Sequence, residues 1–299
     1  MVGYFKELEN LFAEYIGTKH AVSVNTGTAG LHLALVGLGV GKGDEVIVPD
    51  FTMAACGFAV SYTGATPVFV PWRDDLNIDE EKIEQYITPK TKVIMAVHIY
   101  GRVCNMGKIM EIAEKYNLRV IEDCSEAHGA EWNGKKVGSY DVGVFSLYKN
   151  KIVHAEEGGI ITTNDTELTE RLNNLKSMAF GKDHNYFHKE IGFNYRMTDS
   201  QAKLAIKSLK EINKELLNRE KIALIYSEKI KRIPSEVVWV YDFPTEKNYD
   251  HLFEYGVRQW FKPLSTFPMY GGATKDYPKG YYFPVNISPE EAEKLCQLI

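Results

Sequence analysis

The sequence predicts an α/β protein, a mostly parallel sheet covered by helices on both faces, followed by a small C-terminal α+β domain. Two observations carry this. Short apolar runs alternate with segments of helical period from the N-terminus to the helix that starts near Asp165. Past Ile233-Pro234 the texture then changes to short strand-like runs around one small helix. The boundary implied is a large unit over residues 1–200, with a linking helix and a small domain over residues 201–299.

Each element has its own reason. Phe5, Leu8, Leu11, Phe12, Tyr15 and Ile16 recur at helical spacing, and Gly17 follows as a stop signal. AVSV at Ala21 to Val24 reads as a buried strand, followed by the turn Asn25-Thr26-Gly27-Thr28 and a helix rich in Leu and Ala. EVIVP at Glu45 to Pro49 is a strand, Met53 to Tyr62 a helix, and TPVFV at Thr66 to Val70 a strand. Asp79 to Tyr86 reads as helix, Lys92 to Val97 as buried strand, and Met106 to Tyr116 as helix. LRVIED, Leu118 to Asp123, is a strand ending in two carboxylates. Val142 to Leu147 and Gly158 to Thr163 read as a strand pair around a loop, and a helix starts near Asp165. From Thr198 a helical pattern continues to about Lys231, too long for one ordinary helix in a compact core. VVWVY, VRQWF and a final helix from Ser288 complete the chain.

The 299 residues are 44% hydrophobic and 25% charged, the balance of a globular protein rather than a disordered or fibrous one. A formal net charge of −5 lacks the broad positive field of a nucleic-acid binder, while leaving room for a local phosphate pocket. The four cysteines, Cys56, Cys104, Cys124 and Cys296, form no CxxC pair, so neither a metal motif nor a disulfide framework is indicated. The N-terminus lacks a signal-peptide pattern, and no apolar run reaches the roughly 20 residues of a membrane span. A cytoplasmic protein is expected.

In parallel sheets, ligands bind beyond the carboxyl ends of the strands, so chemistry is sought there. Asp123 ends a strand, where its carboxylate either projects into a cleft or merely caps a helix. Gly27 and Thr28 open a helix whose free amides suit a phosphate, a weak signal alone. Lys151 and Lys149 lie between two strands, and spacing does not choose between them. His128 reads as a hydrogen-bonded structural histidine. Glu156-Glu157 has the look of a catalytic pair, but a loop-ordering role before Gly158-Gly159 is the simpler reading for at least one of them.

Taken together, GTAGLHLAL, GDEVIVPDFT, GATPVF, ITPKTKVIMAVHIYG, VIEDCSEAHGA, KKVGSYDVGVFS, KNKIVHAEEGG and IGFNYRMTDSQA resemble the DegT family of pyridoxal-phosphate-dependent sugar aminotransferases. The motifs keep the family's order and cover the chain from about Phe5 to Ala202. FSLYKNK and YFHKEIGFNYRMTD are most similar to the perosamine synthases, which aminate GDP-4-keto-6-deoxymannose.

The resemblance implies a fold-type-I transferase with pyridoxal 5'-phosphate on Lys151, five positions after Ser146. It implies that Asp123 pairs with the pyridine nitrogen, and that Gly27, Thr28 and Ser146 hold the phosphate. Glu126 would lie near the ring hydroxyl, where the family commonly has glutamine. Met53 falls where an aromatic residue usually covers the ring. Asn194 resembles an asparagine that reaches the phosphate from the partner subunit, which implies a homodimer with a shared active site. His154, His184 and Arg258 are candidate substrate contacts, and His184 and His188 lie in a stretch resembling the family's substrate loop. The expected partners are an amino-acid donor, L-glutamate, and a 4-keto or, failing that, a 3-keto sugar nucleotide. A lysine at position 151 counts against the related 3-dehydratases, which carry histidine there. A chain that binds a sugar nucleotide without catalysis is the remaining alternative, motivated by Met53, the short N-terminal lead-in and the abbreviated small domain.

Overall fold

The structure, a computed structural model, describes residues 3–181 and 186–299. Helix α1 (Tyr4–Ile16) buries Leu8, Phe12 and Ile16 and stops at Gly17, whose φ of 83° is the left-handed conformation that glycine adopts without strain. The order continues β1 (His20–Val24), α2 (Gly27–Gly37), β2 (Glu45–Pro49), α3 (Ala55–Tyr62), β3 (Thr66–Val70), β4 (Thr91–Val97), α4 (Met106–Tyr116) and β5 (Arg119–Asp123). A two-stranded ribbon, β6 (Glu131–Trp132) and β7 (Lys135–Lys136), precedes β8 (Val142–Ser146) and β9 (Gly159–Thr163). Then come α5 (Thr166–Lys176), α6 (Asp199–Lys210), α7 (Ile212–Ser227), β10 (Tyr241–Pro244), β11 (Arg258–Gln259), β12 (Gly280–Phe283) and α8 (Pro289–Gln297).

Seven strands form one sheet in the order β1-β9-β8-β5-β4-β2-β3. Its β8–β5–β4–β2–β3 pairings are parallel, and β9 alone runs against its neighbours β1 and β8. Helix α2 is apolar all round because it is buried all round, with Leu31, Leu33, Ala34 and Leu35 all in the main core. Strands β10, β12 and β11 form a second, antiparallel sheet. It shares a separate apolar cluster with α7 and α8, running from Ile222 to Cys296.

Four expectations need correction. The helical pattern over 198–231 is two helices, broken at Glu211. Helix α6 buries Ala202, Ala205 and Ile206 in the main core, whereas α7 turns Ile222, Ala223 and Tyr226 into the second cluster. The VVWVY run is no strand until Tyr241. It is apolar throughout because Val237, Trp239 and Val240 face the main core while Val238 and Tyr241 face the second cluster. The helix expected at Asp79 to Tyr86 is a 3₁₀ segment, Glu80–Tyr86. Only Arg258–Gln259 of VRQWF pairs as strand, against β12, which no sequence signal had marked.

Candidate active site

The carboxyl ends of β5 and β8 and the N-terminus of α2 meet at one edge of the main sheet. Thr26 caps α2 by accepting the Ala29 amide at 3.0 Å, which leaves the amides of Gly27 and Thr28 in the uncapped first turn. A Cβ on Gly27 would lie 2.7 Å from the Ser146 Cβ, so only glycine lets the helix start this close to the end of β8. The Ser146 hydroxyl accepts the Tyr148 amide at 3.3 Å and keeps its own proton to donate, while its amide donates to Ser125 Oγ at 3.0 Å.

Asp123, buried at the end of β5, accepts the Ser125 amide at 3.0 Å on one oxygen and the Cys56 thiol at 3.3 Å on the other. Burial and the adjacent Asp123 push the Cys56 thiol well above its usual range, so it stays a protonated donor. Glu126, also buried, accepts the Tyr100 amide at 2.8 Å. Tyr100 has φ 51°, a left-handed conformation disfavoured for a bulky residue, and aromatic packing against Phe261 and Trp239 holds it there. Burial raises the Glu126 carboxyl to about 7, against the pull of Lys151 and the Tyr100 amide and with a push from Asp123.

The loop joining β8 to β9 carries both candidate lysines, and the structure separates them. Lys149 is exposed, its amide donating to the Glu156 carbonyl at 3.0 Å. Lys151 closes a turn onto the Tyr148 carbonyl and its Nζ lies 3.6 Å from the centre of the Trp239 ring. Burial pushes the Lys151 ammonium down from its ordinary pKa, Glu126 and Asp123 pull it back up, Arg219 adds to the fall, and the balance is downward. An amine so placed is a nucleophile more readily freed of its proton than a surface lysine.

The other singled-out residues lie at varying removes. Met53 is half-exposed ahead of α3, three positions before Cys56, and its sulfur accepts the Ala55 amide. Asn194 is exposed and bridges Ser177, next to Tyr195, whose carbonyl accepts the Asn25 amide ahead of α2. His154 is exposed, held by Ser208 through its amide, and lines a cavity of about 280 Å³ with Lys207, Glu211 and Lys214 on the α6–α7 side. Arg258 is exposed on β11 and donates from Nη1 to the Phe253 and Val257 carbonyls. His184 lies outside the described residues. The hydrogen-bonded role expected of His128 is not met: the residue is buried but neither ring nitrogen has a hydrogen-bond partner, and burial first, then Lys151 and Arg219, hold its pKa down to about 3. Glu156 and Glu157 are exposed, and the Glu157 carbonyl accepts from Gln201.

Cys56, Tyr100, Arg219 and Trp239 went unmarked by the sequence. An arginine in the middle of a helix and a tryptophan in an apolar run give no local sign of what they meet. His98, Glu122 and Cys124 place ligand-type atoms within 4.8 Å of one another. Those groups are already engaged, Glu122 accepting the Gly138 and Tyr140 amides and His98 accepting the Cys104 amide.

A model of the DegT/DnrJ/EryC1/StrS aminotransferase family matches residues 3–262. The GDP-perosamine synthase of Escherichia coli O157:H7 is 36% identical over 99% of this chain and 89% of that protein. The GDP-perosamine synthase of Caulobacter vibrioides is 45% identical over 78% of this chain, a match spanning 64% of that protein's length. Among solved structures, S. venezuelae DesV in complex with a ketimine intermediate superposes with a TM-score of 0.88 at 30% identity, over 99% of this chain and 88% of that one. Helicobacter pylori PseC, an aminotransferase involved in the biosynthesis of pseudoaminic acid, gives 0.87 at 25% identity, over 98% and 89%.

Proposed function

The chain belongs to the DegT/DnrJ/EryC1/StrS aminotransferase family, and on that premise we propose that it moves an amino group from L-glutamate to a 4-keto-6-deoxy sugar nucleotide. The observation that carries this is the position of Lys151, an amine sheltered beside two buried carboxylates at the edge where α2 presents its free amides. Likeness to GDP-perosamine synthases supports the acceptor class.

The family's cofactor is pyridoxal 5'-phosphate, and the residues present fit it. The cradle of Gly27, Thr28 and Ser146 suits a dianionic phosphate. Asp123 suits a protonated ring nitrogen, Glu126 the ring hydroxyl, Met53 one ring face, and Lys151 the aldehyde carbon. When bound, the cofactor supplies an electron sink for the carbanion formed at the amino-acid carbon. Asp123, held in place by the Ser125 amide and the Cys56 thiol, would pair with a protonated ring nitrogen. Lys151 would hold the cofactor through Nζ and, once free, that amine would take the proton from the carbon bearing the substrate's amino group and give it back to the cofactor's aldehyde carbon. The same steps in reverse deliver the amino group to the keto carbon of the sugar.

We also assign the cofactor site to residues 1–200, and the linking helices and small domain to residues 201–299. The separate cluster from Ile222 to Cys296 supports that division. The exposure of Asn194 supports its reaching a partner's phosphate in a homodimer. His154, His184 and Arg258 are kept as substrate contacts. Four free, buried cysteines favour a reducing compartment, hence the cytoplasm; no helix among the described residues is long and apolar enough to cross a membrane.

The test is the absorbance spectrum of the purified protein with pyridoxal phosphate, before and after L-glutamate. A lysine-bound band that disappears on glutamate addition, with 2-oxoglutarate released, is expected. A panel of keto-sugar nucleotides then scores the acceptor by amino product. A protein that forms no such band, or amino product from 3-keto acceptors alone, would overturn the reading.

A further inference from the structure

We propose that Arg219 is a positioning residue that sets where the amine of Lys151 stands, acting from behind the lysine's loop. Arg219 lies on α7 with only 1% of its surface exposed. Its guanidinium donates to the Trp239 carbonyl at 2.7 Å, the Lys151 carbonyl at 3.2 Å and the Asn150 carbonyl at 3.4 Å. Glu215, one turn earlier on the same helix, accepts from Nε at 2.7 Å and balances the charge.

Three carbonyls converging on one buried guanidinium is a bracket rather than a surface ion pair. The planar fork of arginine serves several acceptors at fixed angles, which the single ammonium of lysine cannot do. The bracket closes on itself, because Trp239 Nε1 donates to the Asn150 carbonyl at 3.1 Å. Trp239 also supplies the ring face above which the Lys151 Nζ lies, 3.6 Å from its centre. Arg219 therefore holds both the backbone of the lysine and the platform of its side chain. One change at position 219 would loosen the two together.

The groups facing the Lys151 amine are Glu126 and Asp123 at the end of β5, Cys56 on α3, His128 beyond β5, and Arg219 itself. Arg219 is the cation among them besides the lysine. Its charge helps the amine shed its proton, a second route by which it serves the same atom.

The inference rests on the proposed function, because it presumes that Lys151 binds the cofactor. Its test is capture of pyridoxal phosphate by the whole protein, read by absorbance across pH. Borohydride trapping and peptide mapping then report whether Lys151 or Lys149 was modified. Wild-type protein is expected to trap at Lys151 alone. Arg219→Met should weaken capture by roughly tenfold or more, since ångström-scale misplacement of a reacting group is costly. It should also move the pH midpoint up and spread trapping to Lys149. Arg219→Lys keeps the charge without the fork, so it should restore the midpoint but not the affinity. It is also the variant read if the methionine form does not fold. Wild-type affinity in either folded variant, with trapping at Lys151 alone, would overturn the positioning role. A wild-type protein that traps no cofactor at Lys151 would overturn the functional reading and this inference with it.

Discussion

Glu126 is the residue whose ionisation bears most directly on the amine beside it. Burial raises its carboxyl to about 7, and its negative charge pulls the pKa of Lys151 upward. Removing that charge in Glu126→Gln should let Lys151 lose its proton at lower pH. The pH midpoint for pyridoxal-phosphate capture is therefore expected to fall. A midpoint that stays put or rises would mean that Glu126 does not act on the amine. Gly27 gives a second prediction at this scale. Gly27→Ala sets a methyl group 2.7 Å from the Ser146 Cβ, so the start of α2 must move away from the end of β8. Phosphate affinity, measured with pyridoxal phosphate by equilibrium titration, should fall while the helical circular dichroism is kept.

At the scale of elements, the break between α6 and α7 decides what each helix can do. Helix α6 begins with a capping box in which Thr198 accepts the Gln201 amide and Gln201 accepts the Thr198 amide. That cap starts the helix beside the loop joining β8 to β9, where Gln201 also donates to the Glu157 carbonyl. Thr198→Ala should cost about 1 kcal/mol in urea unfolding, and an unchanged midpoint would remove the cap from the account. Helix α7, after the break, carries Arg219 to the back of the Lys151 loop. Its pattern is legible as helix, but the turn at Glu211 is not, because neither proline nor glycine marks it.

A buried ion pair helps tie the main body of the molecule to the sheet of the second apolar cluster. Arg102, after β4, meets both oxygens of Asp242 on β10, at 2.9 and 3.1 Å. Arg102→Met leaves Asp242 buried without its partner, which should destabilise the protein by about 3 kcal/mol. Calorimetry is expected to show the second cluster melting ahead of the main core, and a single unshifted transition would count against the tie. Subunit sharing is a claim at the same scale. Lys151→Ala and Asn194→Ala proteins, each inactive alone, should regain activity when mixed and refolded together, because a mixed dimer contains one intact site. No recovery would separate Asn194 from the partner's site.

The residue order by itself determined the alternation of strands and helices, the strand end at Asp123, the glycine opening of α2 and the family resemblance. Each of these is written in neighbouring residues, since a buried strand needs a continuous apolar run and a helix stop needs a residue that tolerates positive φ. Only the tertiary structure decided which lysine is sheltered, how β9 enters the sheet against its neighbours, and where Arg219 and Trp239 meet the loop. Arg219 and Lys151 are 68 residues apart, and Trp239 and Asn150 are 89 apart. A local pattern records that a face will be buried but not against what. The choice of partner is made when distant segments pack, and the environment of Lys151 is the product of that packing.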